Sequence, residues 1–182
     1  MLRLSLTLAL VTLPLTAPAQ DSETPTPDTP IEAPMTLDRL DTILKSLDEN
    51  TRTDGRVWQL TIADTPVLII TDPDNDRMRA LSPVADLDDV QVDTLQRMMQ
   101  ANFDTALDAR YAIAKDMVWS TYIHPLAPLE KDQLISGLGQ VVNLVQTYGT
   151  LYTGGAMQFG GGDSGTLQRD LIDELLKKGK EL

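Results

Sequence analysis

Residues 56–84 read RVWQLTIADTPVLIITDPDNDRMRALSPV. Trp58, Leu60 and Ile62 alternate with Val57, Gln59 and Thr61, the pattern of a strand with one buried face. Ala63 to Pro66 read as a turn and Val67 to Thr71 as an apolar strand. Residues 72–76, DPDND, read as a second turn, and Arg77 to Val84 as a third strand. Parallel neighbours need a long crossover, so links this short predict an antiparallel meander.

Helical patterns lie on either side of the meander. Upstream, Leu37, Leu40, Ile43, Leu44 and Leu47 fall at helical spacing, with Thr36 placed to cap and Asp38 in the first turn. Downstream, Asp88 or Asp89 is placed to cap a second helix whose apolar face is Val92, Leu95, Met98, Met99 and Phe103. Two strands at residues 106–114 and 117–126 follow, joined by a tight Lys115-Asp116 hairpin. A third helix from about Leu129 to Tyr148 turns Leu134, Ile135, Leu138, Val141, Val142 and Val145 inward. Gly137 and Gly139 each cost that helix about 1 kcal/mol against alanine, which points to close backbone packing. The expected fold is α+β, in the order α-β-β-β-α-β-β-α, with an antiparallel sheet packed against helices.

The termini have a different character. Residues 1–19 combine a basic Arg3, an apolar run from Leu4 to Leu15 and an Ala17-Pro18-Ala19 site, the pattern of a cleaved signal peptide. That run is too short, and broken too early by Pro14, to be a permanent span. Residues 20–34 form an acidic linker with Pro25, Pro27, Pro30 and Pro34, too polar to bury a core. The domain is expected at residues 35–152 and a flexible glycine-rich segment at 153–166. A terminal amphipathic helix at 167–182 follows, with Leu167, Leu171, Ile172, Leu175 and Leu176 on one side. It is of marginal length to stand alone in water, so it docks on the domain or on a partner.

Composition narrows the function. There are no cysteines, which excludes disulfides, thiolate catalysis and lipid attachment through a leader cysteine. Fifteen basic residues against 27 acidic give a net charge of −12; cleavage removes Arg3 and leaves −13. A chain this acidic, with no basic stripe in its sequence, repels phosphate backbones, so a nucleic-acid partner is not expected.

No motif assembles into an active site. Gly162-Asp163-Ser164-Gly165 matches the nucleophile segment of chymotrypsin-like proteases. That chemistry needs a histidine base held by a carboxylate, and the chain's one histidine, His124, precedes Pro125 in a predicted strand. Asp72, Asp74 and Asp76 have the spacing of the first ligands of a calcium loop. Arg77 and Pro83 stand where that loop needs glycine and glutamate. His124 has no second histidine or cysteine to share a metal with. Trp58, Trp119, Tyr111 and Tyr122 sit on predicted strands, where aromatics serve the core and cross-strand packing before a binding platform. No catalytic, cofactor-binding or metal-binding residue is assigned, no cofactor is expected, and the partner-binding residues stay open.

With Met98-Met99 and Ala101-Asn102-Phe103 closing the second helix, and a hairpin leading through HPLAPL into the third, the chain resembles the type III secretion chaperone-like family (YbjN, Tir-chaperone) over residues 36–150. The resemblance implies a small acidic protein, homodimeric, that holds an extended or incompletely folded segment of another protein and carries no catalytic residue. The secretion chaperones act in the cytoplasm, whereas the leader sends this chain to the periplasm or outside the cell. The expectation is therefore a non-enzymatic, exported protein-binding module that takes partner segments by strand addition at a sheet edge. A serine hydrolase using Ser164, or an envelope protein tethered by an uncleaved leader, are the alternatives.

Overall fold

In the computed structural model, which describes residues 32–104, 106–148 and 166–180, the first element is helix α1 (Leu37–Leu47). The Thr36 hydroxyl accepts the Arg39 N–H at 3.2 Å, and Leu40, Ile43, Leu44 and Leu47 are buried along one stripe. The leader at residues 1–19, the linker through residue 31 and the glycine-rich segment with Ser164 lie outside the described residues.

The meander forms as β2 (Val57–Ile62), β3 (Thr65–Asp72) and β4 (Arg77–Asp86), preceded by a two-residue strand β1 (Arg52–Thr53) that the sequence pattern did not show. The first turn is tighter than expected. Ala63 and Asp64 both take positive φ, at 45° and 61°, and Pro66 lies inside β3 opposite Thr61. A two-residue turn of this hand matches strand twist, so the hairpin accepts left-handed backbone without a glycine. The second turn is a short 3-10 segment (Pro73–Asn75) capped by Asp72. Strand β4 outruns its expected end at Val84, because a register shift between Pro83 and Ala85 absorbs one residue and lets pairing continue to Asp86.

Helix α2 (Val92–Asp104) begins later than an Asp88 or Asp89 cap implies, since Leu87–Asp89 form a separate 3-10 turn. Strands β5 (Arg110–Ala114) and β6 (Met117–His124) meet at Lys115 and Asp116, both at positive φ as the hairpin requires. Strand β6 ends two residues before the expected Leu126. The sheet order is β1-β2-β3-β4-β6-β5, all neighbours antiparallel. Strand β5 starts four residues later than the apolar run suggested. The Asp108 and Ala109 N–H groups turn away from the sheet to the Gln140 side chain.

Helix α3 (Lys131–Thr147) begins after the expected Leu129 because Glu130 forms a capping box with Gln133. It lies over the inner face of the sheet with Leu134, Ile135, Leu138, Val141 and Val142 buried, and Val145 half-buried. Its first-turn Lys131 N–H is accepted by Glu32, which also pairs with Arg39, so a residue within the span read as linker is tied to the domain. Helix α4 (Thr166–Gly179) joins this core as well, with Ile172 fully buried and Leu175 4% exposed. It packs against α3 and α1 and does not stand apart as a separate terminal unit. Among the described residues, no helix is long and apolar enough to cross a membrane.

The α3 glycines are there for contact. A Cβ on Gly137 would lie 2.6–2.8 Å from three atoms of the Tyr122 ring, and one on Gly139 would lie 2.7 Å from Ile172 Cγ1. The Tyr122 ring is rigid and buried, so it cannot step aside easily. Gly137→Ala is expected to lower the unfolding free energy by about 1–3 kcal/mol despite its better helix propensity. Urea denaturation checks this, and an equal or raised midpoint would refute the close packing.

Candidate partner-binding face

Inward positions on the strands are filled with core: Trp58, Leu60, Ile69, Met78, Val118 and Tyr122 are all at most 5% exposed. Among the described residues no helix packs on the outward positions, which remain exposed or half-buried, Thr121 excepted. One row of partners crosses all six strands on that side, running Arg52, Gln59, Leu68, Leu81, Thr121, Arg110. Beside it runs a second row of Val57, Ile70, Arg79 and Ile123, with Ile123 58% exposed. Thr121 Oγ1 is buried without a hydrogen-bond partner among the described residues.

The two sheet edges are closed at their middles. On β5, the Asn102 side chain takes both backbone groups of Tyr111: its Oδ1 accepts the N–H at 2.7 Å and its Nδ2 donates to the carbonyl at 3.1 Å. The Tyr111 hydroxyl donates to the Leu144 carbonyl at 2.6 Å, anchoring that strand from the other side. On β2, beyond the short β1, Asp48 Oδ2 accepts the Thr61 N–H at 2.8 Å. Each side chain stands where a further strand would bind, and edges blunted in this way resist augmentation. Strand addition at a sheet edge is therefore not what this structure favours, and the open face is the better surface.

Helix α2 presents a second apolar surface. Only Met98 and, in part, Leu95 of its predicted face reach the core, with Ala101 beside them. Val92 is 68% exposed, Met99 47% and Phe103 74%, so those three form an outward stripe. The α2 contact lies along the β5 edge, which leaves its far side uncovered.

Asp72, Asp74, Asp76 and His124 make structural contacts, while Gly162-Asp163-Ser164-Gly165 lies outside the described residues. Asp72 caps the turn by accepting from Asn75, Asp74 lies 3.4 Å from Arg56, and Asp76 Oδ1 accepts the Ala127 N–H at 2.6 Å. The three carboxylates are thus turned to separate partners. His124 holds the Pro125 carbonyl through Nδ1 at 2.7 Å and stacks on Tyr122 with centroids 6.0 Å apart. A cleft of about 570 Å³ beside it is lined by Asp108, Arg110, His124, Asp132 and Ser136. Ser136 Oγ is hydrogen-bonded to Gln140, and among the described residues no serine is hydrogen-bonded to His124. Burial pushes the Tyr122 phenol up to about 12, with the Asp108 charge adding to it. Trp58, Tyr111 and Tyr122 belong to the core, while Trp119 faces outward and donates to Ala114, so the four aromatics share no platform.

Four carboxylates are held below the ordinary range, the exposed Asp54 among them through the Arg56 and Val57 backbone N–H groups. The Thr61 and Asn50 backbone N–H groups lower Asp48; hydrogen bonds from Lys45 and Trp58 lower Asp41; the Lys131 N–H, with Arg39, lowers Glu32. A carboxylate lowered on folding stabilises the domain above its unfolded value near 4, and that contribution is lost as pH falls through the lower folded value. The urea midpoint is accordingly expected to hold from pH 7 to about pH 5 and to drop steadily towards pH 2. In Asp48→Asn that drop should be shallower; an unchanged slope would contradict the role given to the Thr61 contact.

No family model matches the chain, and no curated protein matches it. Among solved structures it is similar to the type III secretion chaperone SycH of Yersinia pestis, solved with a stable fragment of YscM2. The two share 19% identity with a TM-score of 0.43, over 58% of this chain and 98% of that one.

Proposed function

We infer that this is a non-enzymatic, exported protein-binding domain that holds a segment of another protein against the outward face of its sheet. The observation carrying this reading is that face itself. Strands β3, β4 and β6 present Leu68, Ile70, Leu81 and Ile123 to solvent with no helix over them among the described residues, while side chains close the edges. Contiguous apolar surface left open in this way marks an interaction site. Export rests on the leader pattern of residues 1–19, and N-terminal sequencing of the protein from an envelope fraction tests it.

A photo-crosslinking side chain at Ile123, with another at the exposed Thr42 of α1 as control, tests the holding function in the cell. The expected result is one adduct of discrete size from Ile123, absent from Thr42 and lost when Leu81→Asp is added. Equal labelling at both positions, or none at Ile123, would reject the reading.

Homodimerisation is supported by the α2 stripe. Two copies of a chain at −12 repel one another except where the contact is uncharged, and Val92, Met99 and Phe103 form such a surface. Light scattering is expected to give twice the chain mass, and Phe103→Asp to give a monomer. A monomeric unsubstituted protein would refute it.

A further inference from the structure

The outward face differs in charge from the rest of the molecule. Its strand positions hold Arg52, Arg77, Arg79 and Arg110 against two aspartates, Asp72 and Asp86, in a chain with 15 basic and 27 acidic residues. Asp72 is already engaged with Asn75. Arg52, Arg77 and Arg79 make no ion pair among the described residues, so their guanidinium groups are free to meet a ligand. Arg110 lies at the rim of the cleft that Asp108 and Asp132 also line, held by the Leu107 and Ala109 carbonyls, both through Nη1, which leaves further donors of its fork.

The arrangement of these charges has a length. Arg52 and Arg110 end the row that crosses all six strands, and Leu68 and Leu81 occupy its middle. Five strand spacings of ~4.8 Å put the two ends roughly 24 Å apart, the reach of about seven residues of extended chain. Arg79 sits between Ile70 and Ile123 in the neighbouring row, flanking the apolar centre.

We propose that this face takes a polypeptide segment of about seven or eight residues, acidic at both ends and apolar between, lying across the strands. Its end carboxylates meet Arg52 and Arg110, and its apolar side chains cover Leu68, Leu81 and Ile123. This deepens the holding function and rests on it. A protein segment suits the face better than nucleic acid or an anionic membrane, because both would also meet the acidic remainder of the surface. Neither of those would satisfy a row that is cationic only at its ends.

The test uses the purified protein and three labelled ten-residue peptides with one shared apolar centre and Asp-Glu, Ser-Ser or Lys-Lys at both ends. Binding is read by fluorescence anisotropy at two salt concentrations. The Asp-Glu peptide is expected to bind roughly tenfold more tightly than the Ser-Ser peptide, and more weakly at high salt. An Arg52→Gln, Arg79→Gln double variant with unchanged circular dichroism should lose most of that preference. Equal binding of the acidic and neutral peptides, or a preference that survives the double variant, would overturn the acidic segment while leaving the holding function intact. Binding of none of the three would reject both. Capture by phosphatidylglycerol vesicles in preference to any peptide would overturn the proposal in favour of a membrane surface.

Discussion

Gln140→Leu is expected to lower the unfolding free energy by about 2–4 kcal/mol, although leucine is the better helix former and more apolar. Gln140 is 1% exposed, and its Oε1 accepts two consecutive backbone N–H groups, Asp108 at 2.7 Å and Ala109 at 3.0 Å. Its Nε2 reaches Asp108 Oδ2 and Ser136 Oγ at 3.3 Å. Leucine fills a similar volume but accepts nothing, so the buried Ala109 N–H loses its partner, at a cost of about 1–3 kcal/mol for each such group. The Asp108 N–H is nearer solvent and recovers part of its loss in water. Urea denaturation measures the loss, and hydrogen exchange should show faster exchange first at Ala109. A change below about 0.5 kcal/mol would mean that the loop before β5 is not held by this side chain.

Ile172→Ala is expected to cost about 2–5 kcal/mol, the range for deleting a fully buried aliphatic side chain. Ile172 is 0% exposed and sits on Gly139, where any Cβ would stand 2.7 Å from its Cγ1. The contact predicts a coupling as well as a loss. Gly139→Ala alone should destabilise through that clash, whereas in the Ile172→Ala background the clashing atom is gone and the alanine gains helix propensity. The double variant should therefore be more stable than the sum of the two single losses implies. Strict additivity would show that α4 and α3 do not meet at this point. If α4 served only an external partner, Ile172→Ala would leave the midpoint of the isolated protein unchanged.

These residues differ in how well the sequence announces them. Trp58, Leu60 and Ile62 declare their strand because side chains alternate faces there, and the stripe from Leu40 to Leu47 declares α1 for the corresponding helical reason. Gly137 and Gly139 were legible as signs of close packing, since glycine inside a helix is costly without a reason. Asn102 could be noticed at the end of α2, but its use as a stand-in strand for Tyr111 could not. Gln140 carried no signal, because a glutamine between apolar residues looks like the polar edge of a helix face. The five apolar residues of α2 share one face by spacing, yet only Met98 and part of Leu95 are covered. Only their neighbours decide which of them those are.

Local pattern alone thus settled the α+β class, the meander, the helices and the tight hairpins, because hydrophobic periodicity and turn chemistry act over a few residues. The tertiary structure decided the order β4-β6-β5, the docking of α4, the closing of both edges by Asp48 and Asn102, and the row from Arg52 to Arg110. Each of these joins residues far apart in the chain. Arg52 and Arg110 are 58 positions apart in sequence, and pairing across six strands puts them at the ends of one row.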